Sequence, residues 1–182
     1  EPGPVGPTGP TGQPGDSICD CCVEPMRELL LELVGEENIT ISTTQQSAGG
    51  ALVNADIEAV VGDFVILNDG DDAVPICKIV GLSGDALAEV SLPVNPEGDA
   101  GFCDCCEEAT RDILNAIFIS EGEADFLTEG SLNFVNTQNA TILDLETGLV
   151  KIETANDVVV LSTCFISSIQ NINPNLIIPT ED

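Results

Sequence analysis

This sequence has no histidine, tyrosine or tryptophan, and its only basic residues are Arg27, Lys78, Arg111 and Lys151. Each shortage closes off a class of function. Without histidine, the side chain that moves protons near neutral pH is missing. No serine can be activated by the usual base, and no Ser-Lys arrangement replaces it. Carboxylates lie near one another throughout, but only because acidic residues are abundant, so their proximity carries no chemical information. The expectation is a non-enzymatic protein with no cofactor. Thirty-two acidic residues against four basic ones give a formal charge of −28 over 182 residues. That balance argues against nucleic acid and anionic membranes as partners, since both are bound through Lys and Arg. No apolar run is long enough to cross a bilayer, and no secretory leader is recognisable.

The start of the chain is rich in glycine and proline. Gly3, Gly6, Gly9, Gly12 and Gly15 fall at every third position, with prolines at 2, 4, 7, 10 and 14. Three polyproline II chains wind together only when glycine occupies the crowded axis at each third residue, so residues 1–15 read as a collagen-type connector, roughly 45 Å long at ~3.1 Å per residue. A single-stranded Pro-rich linker is the plainer alternative. Five triplets are too few to hold a triple helix alone, so the rest of the chain must trimerise. Beginning at Glu1 in triplet register suits either a processed chain or the end of a longer stalk. A trimer would carry −84 (3 × 28), which favours a soluble surface that repels like particles.

Eight cysteines beside such a segment point to an oxidising, extracellular setting. They also reveal a second repeat. Cys19-Asp20-Cys21-Cys22 recurs as Cys103-Asp104-Cys105-Cys106, 84 residues on. Each cluster precedes a helical apolar stripe: Met26, Leu29, Leu30, Leu33 and Val34 up to Gly35, then Ile113, Leu114, Ile117 and Phe118 up to Gly122. Pro25 is expected near the helix start, where its missing N–H does no harm. Arg27 and Arg111 share the displacement of 84 and read as local pairs with acidic neighbours.

Short β-branched runs come after each helix, separated by Gly, Asn and Asp turns. In the first copy they are 38–43, 50–53, 63–67 and 74–80. In the second they are 148–152, 157–161 and 164–166. Asp63-Phe64-Val65-Ile66-Leu67 matches Asp157-Val158-Val159-Val160-Leu161 at a displacement of 94, and Cys77 matches Cys164 at 87, which together imply about ten extra residues before this strand in the second copy and a last hairpin about seven shorter. The fold class expected is mainly β with short helices (α+β). After the connector come two tandem small antiparallel barrel or sandwich units, each preceded by one helix, at 16–94 and 101–182.

Two resemblances emerge. The run of helix, Ile39-Thr40-Ile41-Ser42-Thr43, Gly50-x-Leu52-Val53, Asp63-Phe64-Val65-Ile66-Leu67 and Ile76-Cys77-Lys78-Ile79-Val80-Gly81-Leu82 resembles an Sm-like barrel over residues 24–82 and, more weakly, 107–169. That family has an N-terminal helix and five bent strands and closes into rings, often of six; its RNA-binding residues have no match here. The Gly-Pro-Thr triplets, Cys-x-Cys-Cys clusters and acidic β units are similar to collagen-like surface and appendage proteins of bacterial endospores. The resemblance implies subunits that self-assemble into fibres, dock N-terminal segments into neighbours and lock by disulfides, on a bacterial spore or cell surface. It makes Thr8 and Thr11 candidate O-glycosylation sites. Together the two imply a homotrimer of pseudo-sixfold rings stacked axially by the connectors, with itself and other spore-surface proteins as partners. A trimeric adhesin-like binding head on a collagen stalk is the alternative.

The disulfide candidates are Cys19, Cys21, Cys22, Cys77, Cys103, Cys105, Cys106 and Cys164. Adjacent cysteines rarely bond to each other, so Cys21 and Cys22 suit links to two different partners. A four-thiolate zinc site and free thiols remain open, although the C-x-x-C spacing of zinc sites is missing. Asn68-Asp69-Gly70-Asp71-Asp72 resembles part of a calcium loop but lacks its later glutamate; a hairpin turn is expected there.

Overall fold

The computed structural model describes residues 20–45, 50–94, 107–130 and 137–172. The connector glycines Gly3, Gly6, Gly9, Gly12 and Gly15, Thr8 and Thr11, Cys19, Cys103, Cys105 and Cys106 lie outside them. So do the inter-unit link and most of the tail.

Among the described residues the fold is mainly β with two α-helices, and every strand pair is antiparallel. In chain order the first half runs α1 (Asp20–Glu32), β1 (Ile39–Thr43), β2 (Ala51–Ala55), β3 (Ile57–Val61), β4 (Phe64–Leu67), β5 (Asp72–Pro75) and β6 (Ile79–Ser83). The second runs α2 (Glu107–Ile119), β7 (Glu123–Thr128), β8 (Thr137–Glu146), β9 (Leu149–Glu153), β10 (Val158–Ser162) and β11 (Ile166–Gln170). Helix α1 starts a turn earlier than expected, which places Pro25 inside it. The proline then leaves the Cys21 carbonyl without its helical donor. Met26, Leu29, Leu30 and Leu33 form the helix's buried stripe, and Gly35, at φ 91°, stops it.

Strand registers repeat between the halves. Ile39 and Ile41 of β1 face Ala55 and Leu52 of β2; Ala124 and Phe126 of β7 face Ala140 and Thr137 of β8, the same pairs 85 residues later. Asn54 and Asn139, also 85 apart, both take positive φ, a conformation Asn tolerates better than most residues. The first half breaks this long strand at Asp56, whose N–H donates to the Asn68 side chain at 3.0 Å; the second keeps it continuous as β8.

The displacement of 94 is corrected by the element order. Phe64–Leu67 and Leu149–Glu153 each come after a two-residue turn at the end of the bent strand, so β4 answers to β9, 85 residues on. The Val158–Ser162 run answers instead to Asp72–Pro75, because each leads into a one-turn 3-10 helix, Ile76–Lys78 and Thr163–Phe165. The two runs look alike in sequence because each is a short apolar strand entered through an aspartate. The expected single strand at 74–80 is split by the first of these turns, which takes Cys77 out of the sheet.

The sheet order β11-β7-β8-β9-β10-β6-β1-β2 shows how the halves are joined: β10 of the second lies against β6 of the first. Val159, Val160 and Leu161 face Ser83, Leu82 and Gly81. One apolar cluster packs α1 against β1, β3–β5 and β6, and it takes in Leu149 and Val160 from the second half. The other packs α2 against β7–β10. Burying a side chain of this size contributes about 1.5–3 kcal/mol, so those two residues alone tie the halves firmly.

Gly81 sits where a Cβ would meet the Val160 carbonyl oxygen at 2.8 Å and the Leu161 Cδ2 at 2.9 Å. Gly130, just after β7, is pressed so closely against the Thr43 carbonyl that a side chain there would overlap it. We expect Gly81→Ala to lower the unfolding free energy by about 1–3 kcal/mol, since the overpacked strands must part. Urea denaturation of the isolated chain measures this, and an unchanged midpoint would contradict the tight seam.

Candidate functional site

Catalytic geometry finds little material in the described residues. A cleft of about 510 Å³ is lined by Thr40, Ser83, Thr137, Gln138, Asn139, Thr154–Asp157 and Val159. It offers hydroxyls, amides and the Asp157 carboxylate, but neither a cation nor an aromatic ring. Among the described residues, no three Cys, Asp or Glu side chains are grouped to hold a metal, and no helix is long and apolar enough to cross a membrane. The Asn68–Gly70 stretch is a 3-10 turn between β4 and β5, as the hairpin reading expects. What the chain does build with care is its own seam.

A disulfide pins the seam. Cys22, in the first turns of α1, is bonded to Cys164, in the 3-10 turn after β10, with Cα atoms 6.3 Å apart and 142 residues between them in sequence. Cys22 is buried and its sulfur lies 3.9 Å from the Thr163 hydroxyl. Two of the eight candidates are thus brought together, across the halves and not within one. Cys77 occupies the same place in the first half's 3-10 turn, 87 residues before Cys164, and its thiol is free and half-buried. Cys21 lies in α1 beside Cys22, and only its backbone is described.

Three of the four cations serve the framework. Lys151 on β9 is buried and donates to the carbonyls of Ala88 (3.2 Å) and Val90 (2.7 Å). Asp144 on β8 accepts the Leu92 N–H at 3.1 Å. The segment after β6 is thereby strapped onto the second half. Hydrogen bonds to a charged group contribute about 1.5–3 kcal/mol each, which explains why a scarce lysine is placed there. Sequence reasoning misses Lys151, because nothing local distinguishes a buried lysine in an apolar strand from a surface one.

The arginines do more than pair with local acids. Arg27 donates to the Gly62 carbonyl at 2.8 Å and to Asp63 at 2.5 Å, and its Nε lies 3.4 Å from Glu24. Arg111 donates to the Thr147 hydroxyl at 3.1 Å. Each therefore ties its helix to the turn at the end of the bent strand. The neighbouring Glu146 carboxyl is pushed up from its ordinary value, first by burial and then by Asp144, against the lowering pull of Arg111.

Four strands have one side without a strand partner among the described residues: β2, which pairs only with β1, β3, which pairs only with β4, and β5 and β11. β5 pairs only with β4, through Asp72↔Leu67, Ala73↔Ile66, Val74↔Val65 and Pro75↔Phe64. β11 pairs only with β7. Of these, β5 and β11 correspond to the two strands that meet inside the chain, since β6 and β11 each end their half and β5 and β10 each precede a 3-10 turn.

Replacing Cys22 or Cys164 by serine should lower the stability of the oxidised isolated chain by up to about 5 kcal/mol, the chain-entropy value for so long a loop. Cys77→Ser should change it far less. Denaturant titration without reductant measures both, and equal effects would contradict the pairing. No protein-family model, curated protein or solved structure matches this chain, so the reading of the site rests on its own residues.

Proposed function

We propose that this chain is the structural subunit of a self-assembling extracellular fibre or appendage, of the kind carried on bacterial spores and cell surfaces. In this reading it is a tandem repeat of one small β-barrel unit, each led by a helix and resembling the Sm-like barrel. The collagen-type connector at 1–15 brings three chains to one axis. Six units then surround that axis, and the connectors dock into the next ring so that rings stack head to tail. A heterologous contact that does not close on itself generates a filament.

The observation that carries the reading is the seam between the halves. Two units joined edge to edge by strand pairing, with β5 and β11 each open on one side, form a piece of an arrangement that other copies can extend. The disulfide across the seam supports the same reading, because it favours an oxidising setting and gives the joint covalent strength. The large negative charge suits a particle surface that must stay dispersed.

Electron microscopy of the purified full chain, with and without reductant, tests this. Under oxidising conditions we expect filaments that form from this chain alone and resist heat and detergent until reduced. Discrete trimers of fixed size under all conditions would overturn the filament and favour the binding-head alternative.

A further inference from the structure

We infer that a trough across the seam between the halves is a binding site for a small, linear aliphatic polyamine, held by oxygen acceptors from both halves. The site stands apart from the fibre reading, because one chain supplies all of these acceptors.

Two clefts make up the trough. One is the cleft of about 510 Å³, and the other measures about 450 Å³. Thr40, Ser83, Asn156 and Asp157 line both, so the two are continuous. The first half adds Glu36, Glu37 and Asp85 to the smaller cleft, and the second adds Gln138 and Asn139 to the larger.

Strand register builds the floor. Thr40 of β1 faces Ser83 of β6, and Ser83 faces Val159 of β10. Directly opposed residues put their side chains on the same face of a sheet, so these three form a row across the seam. Leu82, beside Ser83, turns to the other face and enters the first half's core. Asn156 and Asp157 border the row from the turn between β9 and β10. Thr154 holds that turn: its hydroxyl donates to the Asp157 carbonyl at 3.0 Å and accepts the Asp157 N–H at 3.2 Å.

Ser83 marks the trough as a site. It is only 7% exposed and lines both clefts. Its hydroxyl nevertheless makes no hydrogen bond among the described residues. Buried polar groups are ordinarily paired, so this hydroxyl is matched to a group that enters the trough.

The chemistry of the walls selects that group. Carboxylates accept hydrogen bonds without donating, and hydroxyl and amide oxygens accept as well. No ion pair among the described residues neutralises Glu36, Glu37, Asp85 or Asp157, since Arg27 pairs with Glu24 and Asp63. No basic residue lines either cleft. The ligand must therefore bring both donors and positive charge. Asp157 borders both clefts and the other three carboxylates only the smaller one. No three acidic side chains among the described residues are grouped to hold a metal. Charges spaced along a chain fit this arrangement better than one compact ion. An ammonium group on an aliphatic stem offers three rotatable donors, and the methylenes between such groups can lie along Val159. Neither lining has an aromatic ring on which a sugar face could stack. The charge of −28 draws cations towards the trough from a distance.

Calorimetric titration of the oxidised full chain with spermidine tests this, at about 0.15 M ionic strength, where long-range attraction is screened. One spermidine should bind per chain. Ser83→Ala should weaken binding about tenfold, the loss expected for a hydrogen bond to a charged group, with an unchanged melting temperature. Glu36→Gln with Asp85→Asn should weaken it by at least about tenfold on the same grounds. Asp71→Asn with Asp112→Asn removes the same charge from exposed positions outside both clefts and should leave the affinity nearly unchanged. Unchanged affinity in Ser83→Ala, equal weakening by the two double variants, or many ions bound per chain would each overturn the site. Calcium binding with the same sensitivity to these variants would make it a metal site and overturn the polyamine assignment.

Discussion

The structure depends on one strand pairing, that of β6 with β10. It converts two helix-and-strand halves into a single eight-stranded sheet and lets Leu149 and Val160 enter the first half's core. Other features are arranged around it. Gly81 is bare so that the strands can close, Lys151 and Asp144 strap down the segment that leaves β6, and Cys22–Cys164 fixes the ends. Strand pairing suits this task because it is specified by register and not by charge, and it can be repeated by any edge of the same shape.

Charge is the opposing constraint. A chain at −28 repels its own copies, and the repulsion is long-ranged unless salt screens it. Association must therefore come from surfaces that carry little charge and bind at short range. The open strands β5 and β11 meet that requirement, with Asp72 as the one charged residue among their nine. Three of the four basic residues, meanwhile, are placed on turns and on the strap between the halves and not spread over the surface. These few cations serve internal geometry.

Much of the fold is legible in the sequence where burial is one-sided. The stripe from Met26 to Leu33 is periodic because one face of α1 packs inward, and β1, β4, β9 and β10 stand out as β-branched runs between turn residues. The strand β8 escapes such a reading because Thr137-Gln138-Asn139-Ala140-Thr141 is polar, with Asn139 in a left-handed conformation that breaks the alternation. β3 and β7 escape it as well, since Glu58, Asp125 and neighbouring small residues blur their pattern. The displacement of 94 misleads because two different apolar strands begin with aspartate. The cysteines at 77 and 164 give the correct register, since each sits in the 3-10 turn that leads into the last strand of its half. The pairing of Cys22 with Cys164 and the role of Lys151 depend on residues far apart in sequence, and no local pattern encodes them.

If the seam inside the chain is made again between chains, strands that are open in the single chain must become paired in the assembly. Hydrogen exchange in the oxidised assembly, after its size has been verified by light scattering, tests this most directly. The amides of β5 and β11 should become as protected as those of β6 and β10. Exchange at β5 and β11 as fast as in an unpaired strand, in an assembly of confirmed size, would contradict it.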